Sequence, residues 1–333
     1  MKVVVPSAQA YPALAEAGHE LIEVAGRNPD LTNILPDLDG AIGGVRSGAS
    51  MERAPNLRVV ISPAIGVDNI DSETANRLGI LVCNSPSMEN LLGVAESAVG
   101  LMVVLNKRMK VKENALRGGG WSSEANRRHM MLGQTVGFVG FGRIPRAIVE
   151  RMQGWRMKFI AYDPYVPSET MQEFGVTRVE RLLDLMGEAD FVSLHIVPTP
   201  ETYNMIGEAE LRAMKPTAYF INTSRGQGLD EDAMCKAITE DWIAGAALDV
   251  FHQEPLGLES PLRDLDPEKV IITPHSLAHS IESREGGIRL ATESMLKALS
   301  GEVPEYVTNK EAVPRWLERF GNTAAKAAAS TQA

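Results

Sequence analysis

The chain has 333 residues, 44% of them apolar, which is enough to build the cores of two domains. Its net charge of -10 disfavours nucleic acid and anionic membranes as partners. Only Cys83 and Cys235 are present, without metal-ligand spacing, so no metal site or disulfide framework is expected and a reducing, cytoplasmic setting fits.

Apolar runs at Lys2 to Val5, Glu20 to Val24, Gly40 to Val45, Leu57 to Ile61 and Ile80 to Cys83 read as strands. Helical stretches such as "YPALAEAG" and "SETANRLG" lie between some of them, the second stopped by Gly79, and the alternation predicts a parallel α/β layer. One long helix is expected from about Met88 to Ala115, ended by "RGGGW". Its apolar run from Leu91 contains Glu96 and reads as too short to cross a bilayer. A polar arm from Arg117 to Met131 follows and carries Trp121.

A second α/β run begins at Thr135. Its strands are "TVGFVG", "MKFIAYD", "DFVSLHIV", "TAYFINTS", "IAGAALDVF" and "KVIITPH", with helices at "RAIVERMQGW", "VERLLDLMGEA" and "DEDAMCKAITED". Six strands with intervening helices predict one doubly wound sheet. A helical pattern from beyond His275 to Leu299 is expected to return to the first layer, and after Glu311 come one amphipathic cluster and an Ala-rich, disordered tail. The expected division is a discontinuous domain of residues 1–92 and 277–310, a second domain of residues 93–276, and a tail of residues 311–333.

The turn after the strand of Val136 to Val139 carries the first chemistry. A dinucleotide fingerprint, G-x-G-x-x-G, would place its third glycine where Pro145 stands. Gly140 and Gly142 keep the two roles that touch a ligand, the tight turn and the close approach of backbone to a pyrophosphate. Pro145 falls in the first helical turn, where a missing N–H costs no intrahelical bond, and the amides of Arg143 and Ile144 survive to face the phosphates. Asp163 ends the next strand, 21 residues after Gly142, and a carboxylate there accepts hydrogen bonds from ribose hydroxyls while repelling a 2′-phosphate. NAD is the expected cofactor.

Ligands of open α/β sheets bind at the carboxyl ends of the strands. Arg225, Asp249 and His275 stand at three such ends, and Glu254 follows Asp249 by five residues. Together they suit hydride transfer to a carbonyl beside a carboxylate. The arginine fork holds the carboxylate, the histidine protonates the developing alkoxide, and a carboxylate orients the imidazole and stabilises its charge. Arg46 and Ser47 sit just after a first-domain strand, where a second arginine could hold a further polar group of the substrate.

The chain resembles the D-2-hydroxyacid dehydrogenases, a family that includes phosphoglycerate dehydrogenase and glyoxylate/hydroxypyruvate reductase. The motifs are "GVDNID", "NSPSMENLLGVAES", "GFGRI", "YDP", "SLHIVPTPET", "INTSRGQGLDEDA", "GAALDVFHQEP" and "TPH", in that order, to about Asn309. The resemblance implies two doubly wound parallel-sheet domains, Rossmann-like and flavodoxin-like, with the active site in the cleft between them. It implies that Arg225 binds the carboxylate and carbonyl of a small 2-oxo acid, that His275 is the acid/base, and that Glu254 is its partner. It also implies that His195, Thr223 and Asp249 contact the cofactor, Asp249 at the nicotinamide carboxamide. The amides of Ala64, Ile65 and Gly66 would help seat the carboxylate, and a "VRS" segment like that at Arg46 contacts the distal end of the substrate in phosphoglycerate dehydrogenases. A homodimer through the cofactor domain is implied, with Trp121 reaching the neighbouring subunit's pocket. Two departures stand out: Pro145, and "HSLAHS" after the histidine, which sets His279 one helical turn from His275. Glu254, where formate dehydrogenases carry glutamine, disfavours formate oxidation. A non-enzymatic NADH-sensing protein on the same fold is the alternative.

Overall fold

The computed structural model describes residues 1–26, 29–121 and 127–322. It comprises two compact units, residues 1–90 with 279–333, and residues 91–278.

The first unit holds a five-stranded parallel sheet in the order β2-β1-β3-β4-β5: β1 (Lys2–Val5), β2 (Glu20–Glu23), β3 (Leu38–Ile42), β4 (Val59–Ile61) and β5 (Leu81–Cys83). Successive side chains of a strand point to opposite faces. Val3 and Val5 therefore enter one core, with Ile61 and Trp316, while Val4 enters the other, with Ala41 and Val60. Burial on both faces is why β1, β4 and β5 read as apolar runs, whereas the edge strand β2, ELIE, has exposed ends. The strand order reverses between β1 and β3, which places the topological switch point at the loops that follow them.

Helix α11 (Ile281–Ser300) packs on this sheet with two glycines inside it, although each costs about 1 kcal/mol relative to alanine in a helix. Packing explains them. A Cβ on Gly287 would lie 2.2 Å from the carbonyl oxygen of Pro63, and one on Gly286 would meet Ser87 and Glu89. The loop after β4 thus rests directly on the helix backbone.

The segment from 311, expected to stand apart as a tail, belongs in part to this unit. Helix α12 (Val313–Phe320) buries Trp316 completely, and its indole N–H donates to the Arg58 carbonyl at 2.9 Å. The apolar side of the helix completes the core, which short-range sequence pattern could not show. The Ala-rich stretch after Asn322 lies outside the described residues.

The second unit holds a seven-stranded parallel sheet in the order β12-β11-β10-β9-β6-β7-β8. Its strands are β6 (Thr135–Val139), β7 (Lys158–Tyr162), β8 (Thr177–Arg178), β9 (Phe191–Leu194), β10 (Tyr219–Asn222), β11 (Gly245–Leu248) and β12 (Val270–Ile272). The six expected strands are all present. The seventh, β8, has two residues and no apolar run to announce it. The order matches the dinucleotide-binding arrangement, with the switch point between β6 and β9.

The expected long helix is two. Helix α4 (Met88–Asn106) ends where Arg108 adopts a left-handed conformation (φ 48°), and α5 (Met109–Arg117) starts anew. At 19 residues α4 is long and apolar enough to cross a membrane by length and composition, unlike the shorter run read from sequence. Its Leu91, Ala95, Ala98, Met102 and Leu105 pack instead into the core with Phe138 and Phe191.

Candidate active site

The glycine turn occupies the switch point of the second unit. Gly140 has φ +91°, and a Cβ there would lie 2.2 Å from the His195 carbonyl oxygen, so the chain after β6 runs hard against the chain after β9. Both facts demand glycine. Gly142 differs: its φ is −79°, and a Cβ on it would meet nothing within 4 Å. The space in front of it is a cradle at the amino end of helix α6 (Arg143–Met152), where no side chain among the described residues caps the free amides. Helix amino termini with free amides bind anions. Pro145 is the third residue of α6 and is buried, so the helix absorbs it without a break.

Asp163 turns inward as well as outward. Its Oδ2 accepts the Phe141 amide at 2.8 Å, and Oδ1 accepts the amides of Tyr165 and Val166 at 2.8 and 3.1 Å. The carboxylate therefore braces the glycine turn from the next strand, a role additional to the ribose contact expected of it. Asp163→Ala should accordingly weaken NADH binding as well as narrow the preference over NADPH. Titrating both nucleotides into both proteins checks this, and equal affinity for NADH and NADPH in the unmodified protein would remove the assignment.

Two buried polar atoms lie at the ends of β9 and β10. The His195 ring bonds Ser193 Oγ through Nε2 at 2.8 Å, while its Nδ1 and the Thr223 hydroxyl are buried without a partner among the described residues. Burial pulls the His195 imidazole down to about 3, so the ring is neutral near pH 7. Buried donors and acceptors are rarely left unsatisfied. With the Gly142 cradle, these groups fit a dinucleotide lying along the carboxyl edge.

The other expected residues of this unit come together on three adjacent strand ends. His275 Nδ1 meets Glu254 Oε2 at 2.7 Å, and Glu254 Oε1 accepts the Phe251 amide at 3.1 Å. Partial burial opposes the charge on Glu254, but the bonds from His275 and Phe251 outweigh it and hold the carboxyl below its ordinary range. The hydrogen bond to Glu254 in turn raises His275 above its ordinary value, against the opposing effect of burial. Arg225 is near enough that its charge acts on both.

Asp249 is 4% exposed and is bonded more fully than its expected role requires. Its Oδ1 accepts the Thr273 hydroxyl at 2.6 Å and the Ser276 amide at 3.0 Å, and its Oδ2 accepts the Leu277 amide at 3.2 Å. These bonds bracket His275, whose φ of 50° is costly for a residue with a side chain. Residues 275–280 form a turn and not a helix, since α11 opens at Ile281 behind the Ser280 cap, so His275 and His279 do not share a helical face. Sequence reasoning passed over Gly226, where a Cβ would lie 2.0 Å from the Phe251 carbonyl carbon. That close approach seats the turn after Arg225 on the strand-end loop that leads to Glu254.

In the first unit the expected residues gather at the carboxyl edge. Arg46 precedes Ser47, which caps helix α2 (Gly48–Glu52) by accepting the Ser50 amide. Arg46 and Ser47 stand on the loop after β3, at the switch point. Ala64, Ile65 and Gly66 lie on the loop after the neighbouring strand β4. There Ser62 Oγ donates to the Gly66 carbonyl at 2.8 Å and accepts the Ala64 amide at 3.3 Å, and Asn84 holds the Ile65 carbonyl at 3.0 Å.

A glycine turn at the switch point of a seven-stranded sheet, with a histidine–carboxylate pair on the same edge, defines a dinucleotide-dependent oxidoreductase. The comparisons make this specific. The model of the D-isomer specific 2-hydroxyacid dehydrogenase NAD binding domain matches residues 99–276. A glyoxylate reductase of Korarchaeum cryptofilum is 40% identical over 266 residues, 79% of either chain. A D-3-phosphoglycerate dehydrogenase of Methanocaldococcus jannaschii is 35% identical over 317 residues, 94% of this chain and 59% of that one. The crystal structure of NAD-dependent formate dehydrogenase from Staphylococcus aureus in complex with NAD superposes with a TM-score of 0.77 at 26% identity, covering 89% of this chain and 94% of the other. The chain belongs to the D-isomer-specific 2-hydroxyacid dehydrogenase family and is an NAD-dependent enzyme of it.

Proposed function

We propose that the enzyme interconverts a small 2-oxo acid and its D-2-hydroxy acid, with Arg225 holding the carboxylate and carbonyl and His275 acting as acid/base. The observation that carries this reading is the 2.7 Å bond between His275 and Glu254 beside Arg225. The nicotinamide, when bound, supplies or takes up the hydride at the substrate carbon. In the reductive direction protonated His275 gives its Nε2 proton to the substrate oxygen as negative charge develops there. Glu254 keeps the ring oriented through Nδ1 and stabilises the imidazolium, and Arg225 offsets the charge of the carboxylate. The roles of Gly140, Gly142, Arg143, Ile144 and Asp163 toward the pyrophosphate and ribose, of His195 and Thr223 toward the cofactor, and of Asp249 toward the nicotinamide carboxamide belong to the same proposal.

The amides of Ala64, Ile65 and Gly66 are assigned to the carboxylate, and Arg46 with Ser47 to a group at the far end of the acid. The substrate class is then a small acid with a distal polar group, such as hydroxypyruvate or a phosphorylated or dicarboxylic analogue. One charge-assisted hydrogen bond is worth about 1.5–3 kcal/mol. Arg46→Ala should therefore lower kcat/KM for such an acid by roughly 10- to 150-fold and leave pyruvate nearly unaffected. Steady-state NADH oxidation with a panel of 2-oxo acids tests both statements. No turnover of any of them would end the reading, and equal losses on both classes would end the role of Arg46.

We further infer a cytoplasmic homodimer built through the cofactor unit. Leu116, Trp121, Met130 and Leu132, close along the chain, are all exposed, Trp121 by 86%. Clustered exposed apolar side chains mark interaction surfaces. Part of the expected arm, residues 122–126, lies outside the described residues. Sedimentation should give twice the chain mass, and Leu116→Asp with Trp121→Asp should shift it toward the monomer. A monomeric unmodified protein would refute the dimer.

A further inference from the structure

Arg225 and His275 are held from behind by one connected set of buried polar groups. Asn222, the last residue of β10, is fully buried. Its Nδ2 donates to the Arg225 carbonyl at 3.0 Å, and its Oδ1 accepts both the amide and the hydroxyl of Ser224, each at 3.0 Å. The side-chain amide thus closes the loop 222–225 onto itself and leaves none of its functional atoms idle. The Asn222 carbonyl accepts the Asp249 amide at 3.0 Å, and Asp249 is the residue whose carboxylate brackets His275.

We propose that Asn222 is a positioning residue for substrate binding: its side-chain amide fixes the loop from which Arg225 projects. The inference rests on the substrate role given to Arg225 above. Its chemistry follows from the donor set. A buried amide supplies a donor and an acceptor at once, and only that combination satisfies both the Arg225 carbonyl and the Ser224 amide. An apolar residue leaves the buried Ser224 amide without this partner and the Arg225 carbonyl with only the longer bond from the Gly228 amide at 3.4 Å. A carboxylate of the same shape keeps the acceptor and sets an oxygen against the Arg225 carbonyl. The guanidinium then loses its fixed origin while the sheet, the glycine turn and the His275–Glu254 pair retain their contacts.

The experiment is a double-mutant cycle. Asn222→Asp should raise KM for the 2-oxo acid and lower kcat/KM about 10- to 100-fold, as expected for one mispaired buried hydrogen bond. NADH affinity, read by fluorescence titration, should fall by a clearly smaller factor than kcat/KM, since Thr223 alone of the groups proposed for the cofactor lies on the same loop. Combined with Arg225→Gln, the Asn222 substitution should add little further loss, because an absent guanidinium needs no positioning. Ser224→Ala, which removes only the hydroxyl bond to Oδ1, should fold normally and show the same KM-weighted defect more mildly, and it serves if Asn222→Asp does not fold. Fully additive losses, or an NADH affinity that falls in step with catalysis in Ser224→Ala, would overturn the proposal. An Arg225→Gln enzyme with normal kcat/KM would overturn the substrate role of Arg225 and with it this inference, an outcome distinct from additivity.

Discussion

His275→Ala should reduce turnover by about 100- to 10,000-fold, the range spanned by positioned acid–base groups, while NADH binds as before. In the proposed mechanism the imidazole acts on the substrate oxygen, and Gly142, His195 and Thr223, the groups proposed for the cofactor, are on other strand ends. Stopped-flow measurement of NADH binding beside steady-state turnover separates the two, and near-normal turnover would reject the assignment. The pH dependence gives an independent check. Glu254 raises His275 above its ordinary value, so reduction, which needs the imidazolium, should fall as pH rises through that raised value. Oxidation of the hydroxy acid needs the neutral ring and should rise across the same interval. Glu254→Gln removes the charge and should move both inflections to lower pH. An inflection that stays in place would detach Glu254 from the acid/base role.

The second large effect is expected at Gly140 and should contrast with Gly142. Alanine at 140 must take φ near +91°, which costs about 1–2 kcal/mol for an L-residue. Its methyl would also overlap the His195 carbonyl, which is backbone and cannot rotate away. Gly140→Ala should lower Tm and displace the Arg143 and Ile144 amides, which are proposed to face the pyrophosphate. Losing one charge-assisted bond to the pyrophosphate costs about 1.5–3 kcal/mol, so NADH affinity should fall by roughly 10- to 150-fold. Gly142→Ala has no clash and an ordinary φ, so it should keep Tm and lose NADH affinity alone by filling the cradle. Differential scanning calorimetry and NADH titration of the two variants decide the matter. The same Tm loss in both would mean that Gly142 also serves packing and not ligand access.

The alternation of elements was legible in the sequence because the central strands of both sheets are buried on both faces and leave mostly apolar runs such as Val3 to Val5 and Val136 to Val139. The candidate site residues could be nominated for a different reason. Glycine turns and strand-end polar residues are local, and Gly140, Arg225 and His275 can each be read within a few positions of a strand. What escaped was set by distant contacts or by backbone geometry. The two residues of β8 form a strand only because β7 is beside them. The break at Arg108 depends on a left-handed residue that is not glycine. Pairings such as Asp163 with the Phe141 amide, or Asp249 with the amides around His275, join segments more than 20 residues apart, and the carboxylates alone could suggest only ligand contacts. Trp316 looked like part of a detached amphipathic stretch because its partner, the Arg58 carbonyl, lies far back in the chain.

The contact between Gly287 and Pro63 bears on how this enzyme can diversify. The loop of Ala64, Ile65 and Gly66 is held by the helix beneath it and by Ser62 and Asn84, while the Ala64 side chain is exposed. Position 64 can therefore be exchanged with little disturbance of the main chain that presents it. A bulkier residue at 287 would instead lift the entire loop. If the loop binds substrate as proposed, a tolerant layer lies over an intolerant floor, and laboratory libraries aimed at position 64 should yield many folded variants where the same effort spent at 286 and 287 yields few.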